Sequence, residues 1–162
     1  MNGWIALNTN GAVSTQLKSS SIGGIFRDHS GKCLGAFHKK IGFSTILETE
    51  LWGIYEVIKL AWSYGFEKVI VQRDSGDALK FLSPPSPISP FPAVRATARL
   101  LDRDWFVHFM KIYREANAVA DLLAKLDDHF SDALVVVDLL SIQLRVVLSR
   151  DINDPLTYNY LM

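Results

Sequence analysis

A single cysteine, Cys33, is too few for any cross-link within the 162-residue chain. An internal disulfide framework and a cysteine zinc site are both excluded. Cys33 reads instead as a small buried hydrophobe in an intracellular, reducing compartment, with nucleus and cytoplasm left open. Net charge is also missing, because 17 basic residues meet 17 acidic ones. That excludes a domain held to nucleic acid mainly by a bulk positive field, but not one with a local basic strip. Long apolar runs are absent too. The most apolar late stretch, Ala133 to Leu148, is broken by Asp138, Gln143 and Arg145, so no membrane span is expected. No basic-then-apolar leader precedes Trp4, and no secretory signal is expected. Proline is confined: five of the six lie between Pro84 and Pro92, which reads as a stiff spacer loop. The histidines His29, His38, His108 and His129 show no metal-ligand spacing.

What is present is ordinary globular material, 49% apolar and 21% charged, enough for one domain with a real core. The patterning predicts β-β-β-α-β-α-α-β-α and then a tail. Strands are expected at Trp4–Thr9, Ile22–Arg27 and Lys32–Ile41, the last two joined by the glycine-bearing turn Asp28-His29-Ser30-Gly31. Thr45 and Glu48 form a capping box for a helix ending at Gly65. Lys68–Val71 reads as a buried strand, followed by a helix at about 75–82, the proline loop 83–92 and a helix at Ala93–Leu101. A fifth strand is expected at Trp105–Tyr113 and a last helix at Ala116–Leu126.

Four positions stand out. On the first long helix, at ~100° per residue, Ile46, Leu47, Ile54, Val57 and Ala61 fall within about 60° of Glu50, while Glu48, Glu56 and Lys59 fall elsewhere. Glu50 is thus an acid in a core-facing stripe, where a carboxylate must be paired, protonated or metal-bound. A salt bridge to a buried Arg or Lys is the plain alternative. Asp74 ends a strand, where ligands gather in open α/β sheets, yet Asp or Ser75 is equally an ordinary helix N-cap. Asp121 shares a helix side with Asn117 and Lys125, which alone is a solvated face. Asn10-Gly11 alone is a turn signal.

Taken in order, several motifs become specific. They are Asn8-Thr9-Asn10-Gly11-Ala12, Gly23-Gly24-Ile25-Phe26-Arg27-Asp28 with Gly31, and Glu50-Leu51-Trp52-Gly53. Val69-Ile70-Val71-Gln72-Arg73-Asp74-Ser75 follows, and then Tyr113-Arg114-Glu115-Ala116-Asn117 with Ala120-Asp121 and Ala124-Lys125. Over residues 4–128 the chain resembles the ribonuclease H type 1-like domain of plants, often found at the end of retroelement reverse transcriptase polypeptides; residues 129–162 form a tail with no assigned role. The resemblance implies an α/β, ribonuclease H-like fold: a mixed five-stranded sheet, three antiparallel then two parallel strands, with helices on both faces. It implies hydrolysis of RNA in RNA–DNA hybrids with two Mg²⁺ ions, one activating water and one steadying the leaving oxygen. Carried over by position, the metal ligands are Asn10, Glu50, Asp74 and Asp121, with Glu50, Asp74 and Asp121 catalytic. Gly11, Arg114 and Asn117 fall at substrate-contacting positions, and Gly11 admits the backbone close to the RNA.

Two departures qualify that reading. Asn10 stands where the family has the aspartate that contacts both metals, so three carboxylates remain, the second ion binds weakly, and cleavage is expected to be feeble or absent. Segment 83–92 replaces a basic protrusion of some bacterial relatives, so hybrid affinity is expected to be modest and salt-sensitive. Lys39, Lys40, Arg73, Lys111 and Arg114 are candidate phosphate contacts. A monomer is expected, formerly part of a polyprotein, with RNA–DNA hybrid or another nucleic acid as partner and no membrane association. The rival reading is a non-catalytic, domesticated retroelement fragment that uses exposed Trp52 and Tyr55, or the tail, to meet a partner. A Mg²⁺-dependent exonuclease on a related fold matches the Arg114–Lys125 pattern less well.

Overall fold

A computed structural model describes residues 3–74, 76–125 and 135–136. Strand β1 (Ile5–Ser14) pairs antiparallel with β2 (Ser19–Arg27) from Ala6↔Arg27 to Ser14↔Ser19. Asn10 therefore faces Gly23 across the ladder and Gly11 faces Ile22, so Asn-Gly is mid-strand, not a turn. The polar run Ser19-Ser20-Ser21 gives β1 a partner beyond its apolar part, and the chain reverses only at 15–18, where Lys18 takes a left-handed φ of 46°. The expected hairpin to β3 (Cys33–Ile41) forms. The Asp28 carboxylate accepts from the backbone N–H groups of Ser30 and Lys32, both at 2.9 Å, and Gly31 supplies a φ of 84°.

Helix α1 (Ile46–Ser63) starts as the capping signal predicts, with the Thr45 hydroxyl accepting from the Glu48 N–H at 3.2 Å. The Glu48 carboxylate takes the Ser44 hydroxyl. Gly65, at φ 79°, ends the turn after the helix. Strand β4 (Lys68–Arg73) is buried from Val69 onward and runs parallel to both β1 and β5 (Phe106–Lys111). Between them lie α2 (Gly76–Lys80), the proline loop, folded back with the Phe81 and Phe91 rings 5.1 Å apart, and α3 (Pro92–Leu101). A 3-10 turn (Arg114–Asn117) leads into α4 (Ala118–Ala124). The predicted helix was one continuous element, and its last residue, Leu126, lies outside the described residues, as does Ser75.

The five expected strands, three antiparallel and two parallel, are present in the order β5-β4-β1-β2-β3. A two-residue strand from the tail, β6 (Val135–Val136), adds to the free edge of β3 at His38 and Phe37. The rest of the 129–162 tail lies outside the described residues. One face of the sheet packs Leu7, Ile22, Phe26, Val69 and Val71 under Leu51, Ile54 and Ile58 of α1, with α2 and α3 beside it. The other face puts Ile25 and Ala36 under Val119 and Leu123 of α4. Among the described residues no helix is long and apolar enough to cross a membrane.

Two expectations for α1 need correction. Glu56, placed by angle alone away from the core-facing stripe of Glu50, is buried between Lys39 at 2.8 Å and Lys59 at 3.0 Å, because β3 passes alongside that flank. Trp52 and Tyr55 are half-buried rather than exposed; their rings meet edge to face at 5.5 Å and pack on the core.

Candidate active site

Strands β1 and β4 lie side by side and parallel, paired as far as Asn8↔Gln72. Two residues further along each chain come Asn10 and Asp74, at the carboxyl end of the parallel pair, where side chains from neighbouring loops and helices converge. The first turns of α1 bring Glu50 from one face, and α4 brings Asp121 from the other. A cleft of about 310 Å³ results, and Asn10, Gly11, Glu50, Asp74, Arg114 and Asp121 all line it, with Lys125 at its rim. All four sequence-derived ligand positions thus share one cavity. Gly11 is required there: a Cβ would lie 2.8 Å from the Thr49 Cγ2, so the strand approaches α1 only because the side chain is missing.

The wall behind the cleft is held by polar groups that the sequence reading missed or misplaced. Arg73, expected to meet phosphate, is fully buried and cannot do so. It donates Nη1 to the Thr9 carbonyl at 3.1 Å and places Nη2 3.2 Å from the Glu50 Oε1. Burial pushes the guanidinium pKa down, against the opposing pull of Glu50 and Asp74. Glu50 is therefore paired with a buried arginine, as the plain alternative has it, and the same carboxylate lines the cleft. Asn117 is also buried; its Nδ2 donates to the Thr9 carbonyl at 3.1 Å and lies 3.4 Å from the Asp74 Oδ1. Asn8 donates to Gln72 at 3.1 Å and lies 3.4 Å from the Asn117 Oδ1. The available signal was polar residues at 8 and 72, both inward-facing on central strands, where a buried amide demands partners.

Asn10 holds the centre. Its Oδ1 accepts the Gly11 N–H at 3.0 Å, which fixes the amide orientation, and its Nδ2 donates to the Asp121 Oδ1 at 3.0 Å. The second Asp121 oxygen is 2.9 Å from the Lys125 Nζ. Glu50, Asp74 and Asp121 line the cleft as an oxygen-rich, acidic set, and in chemical type they suit a hard divalent cation. Asn10, by contrast, turns a donor, not an oxygen, toward Asp121. Among the described residues no three acidic, His or Cys side chains converge into a ready metal cage, so an ion would have to draw the carboxylates in and displace resident donors.

The other candidate phosphate contacts are dispersed. Arg114 is exposed at the cleft; Lys111 is exposed at the end of β5; Lys39 and Lys40 line a separate cavity of about 500 Å³ with Phe43 and Trp52.

A model of the family described as reverse transcriptase-like matches residues 8–127. The chain belongs to that family. The resemblance to plant ribonuclease H-like domains holds with it: an Arabidopsis thaliana protein with a provisional ribonuclease H name is 36% identical over 126 residues, 75% of this chain and 20% of that protein. The chain spans about a fifth of the length of that curated relative. Among solved structures, RNase H1 of Halobacterium salinarum superposes with a TM-score of 0.65 at 19% identity, covering 74% of this chain and 93% of the other. The N-terminal RNase H domain of a Mycobacterium tuberculosis protein gives 0.67 at 18%, covering 75% and 90%. LC11-RNase H1, solved with an RNA/DNA hybrid, gives 0.62 at 21%, covering 74% and 92%. These likenesses establish the ribonuclease H fold. In this reverse transcriptase-like domain, the matched span contains every residue of the cleft, while β6 lies beyond it.

Proposed function

We propose that this domain binds RNA–DNA hybrid across the cleft, takes one Mg²⁺ there in place of the family's two, and cleaves RNA feebly or not at all. The observation that carries the reading is the Asn10 amide bridging the Gly11 N–H and the Asp121 carboxylate, both at 3.0 Å. Where a carboxylate at position 10 would repel Asp121 and call for a cation between them, the amide satisfies Asp121 directly.

When bound, a divalent cation supplies Lewis-acid polarisation of the phosphate and an activated water. Glu50, Asp74 and Asp121 hold it. Gly11 lets the backbone approach the sugar edge, where the 2′-hydroxyl marks RNA. Arg114, exposed at the cleft, meets a phosphate; Asn117, being buried, positions Asp74 rather than touching substrate. Zero net charge keeps the affinity modest and salt-sensitive.

The test is Mg²⁺-dependent cleavage of a labelled hybrid by wild type and Asn10→Asp, with binding followed by fluorescence anisotropy. Asn10→Asp is expected to raise cleavage by about 100-fold, equivalent to roughly 2.7 kcal/mol in the barrier. Equal, robust cleavage by both proteins would refute the proposal. Hybrid binding with no cleavage in either protein would instead favour a non-catalytic nucleic-acid module.

A further inference from the structure

We infer that Lys125 is the built-in counter-ion of Asp121 and competes with a divalent cation for the cleft, which weakens metal binding there. The inference rests on the proposed cleft but concerns a residue that the ligand set does not include. Both oxygens of Asp121 are engaged from within the chain: Oδ1 by the Asn10 amide at 3.0 Å and Oδ2 by the Lys125 ammonium at 2.9 Å. The two donors come from different elements, β1 and the residue closing α4, so the arrangement is tertiary and not only an i,i+4 helix pair.

Charge accounting makes the same point. Glu50, Asp74 and Asp121 bring three negative charges to the cleft. Arg73 stands against Glu50, Lys125 against Asp121, and Arg114 at the wall, giving three positive charges. An acidic cleft of this family type draws divalent ions because its carboxylates repel one another; here the chain supplies the compensation. Arg73 is buried and cannot leave, whereas the Lys125 side chain is 58% exposed and can swing into water. Lys125 is therefore the counter-ion that an incoming metal has to displace, and its affinity cost is set at the Asp121 Oδ2.

The readout is Mn²⁺ binding to the full chain, followed by electron paramagnetic resonance of free Mn²⁺, which does not depend on catalysis. Lys125→Met is expected to tighten Mn²⁺ binding by about two- to fivefold, the range for losing one partly exposed competing charge. Lys125→Arg is expected to retain the wild-type affinity. Thermal melts of each variant identify any that fail to fold, and Lys125→Gln serves in place of Lys125→Met if that variant does. Unchanged Mn²⁺ affinity in the folded neutral variant, or equal tightening in Lys125→Arg, overturns the inference. Tighter Mn²⁺ binding in a protein that binds no hybrid supports the role of Lys125 and defeats the nucleic-acid reading of the cleft.

Discussion

Replacing Gly23 by alanine tests how the α4 face of the sheet delivers Asp121. A Cβ at Gly23 would lie 2.3 Å from the Ala124 amide nitrogen, 2.5 Å from the Leu123 carbonyl carbon and 2.6 Å from the Leu123 Cβ. Ordinary contact begins near 3.4 Å, so the deficit is about 1 Å, and it falls on helix backbone that no rotamer change can move. Helix α4 is pinned at that point by the Ser21 hydroxyl on the Ala124 carbonyl and by the His38 Nδ1 at 2.7 Å from the Leu123 carbonyl. Both bonds stretch if the helix retreats. Overpacking costs ~1–3 kcal/mol and each weakened hydrogen bond up to ~1 kcal/mol, so a loss of about 3 kcal/mol is expected. At ~2–4 °C per kcal/mol, the melting temperature drops by roughly 10 °C. Because Asp121 rides on α4, the Asn10 side-chain amide resonances should shift as well. Gly35→Ala is the control: its Cβ would meet Phe26 at 3.5 Å, an ordinary contact, and the melt should barely move. A Gly23→Ala protein melting within ~2 °C of wild type would refute the close-packed placement of α4.

Two further perturbations probe the wall behind the site. Arg73→Met strands the Glu50 carboxylate and removes one donor from the Thr9 carbonyl, so urea unfolding should show a loss of ~3–5 kcal/mol, much of it recovered by adding Glu50→Gln. Equal stability of Arg73→Met and wild type would remove the case for a buried pair. Burial pushes the Asp28 carboxyl up, but hydrogen bonds from the Ser30 hydroxyl and from the Lys32 and Ser30 amides outweigh it and hold the pKa below the usual 3.8. A lowered folded pKa means stabilisation that is complete above the unfolded value and is lost as pH falls through the folded one. Asp28→Ala should therefore melt below wild type at neutral pH and converge with it in strong acid; a gap that stays constant down to about pH 2 contradicts this.

Much of the architecture was legible because it is written in local pattern. The Thr45–Glu48 box, the Asp28–Gly31 turn and the apolar run of β4 each satisfy backbone donors or bury side chains within a few residues of themselves. That the four candidate positions share one cleft was legible through the order of their motifs, since none is distinctive alone. What escaped depends on partners far away in the chain. The length of β1 past Asn10 is set by Ser19–Ser21 on another strand. A helical wheel reports the angle of Glu56 but not that β3 runs beside it with Lys39. Arg73 and Asn117 looked like substrate-facing groups because sequence shows charge and polarity, whereas burial is decided by which strand sits in the middle of the sheet.

The Thr9 carbonyl explains why position 10 can vary while the rest of the cleft stands. Arg73 reaches that oxygen from the α1 face and Asn117 from the α4 face, each at 3.1 Å. Through Arg73 the peptide is tied to Glu50, and through Asn117 to Asp74. Two of the cleft's polar connections thus converge on one backbone atom next to Asn10, and they are needed to satisfy buried groups whether or not any phosphate is ever cleaved. Glu50 in particular would be held by the fold alone, because the buried guanidinium beside it needs an anion. Its presence therefore says little about catalysis. Position 10 is different: its side chain serves no buried charge, and an amide there satisfies both the Gly11 N–H and the Asp121 carboxylate. An amide at this one position leaves the fold's own hydrogen bonds complete and, on the proposed reading, lacks the charge that would hold a second ion.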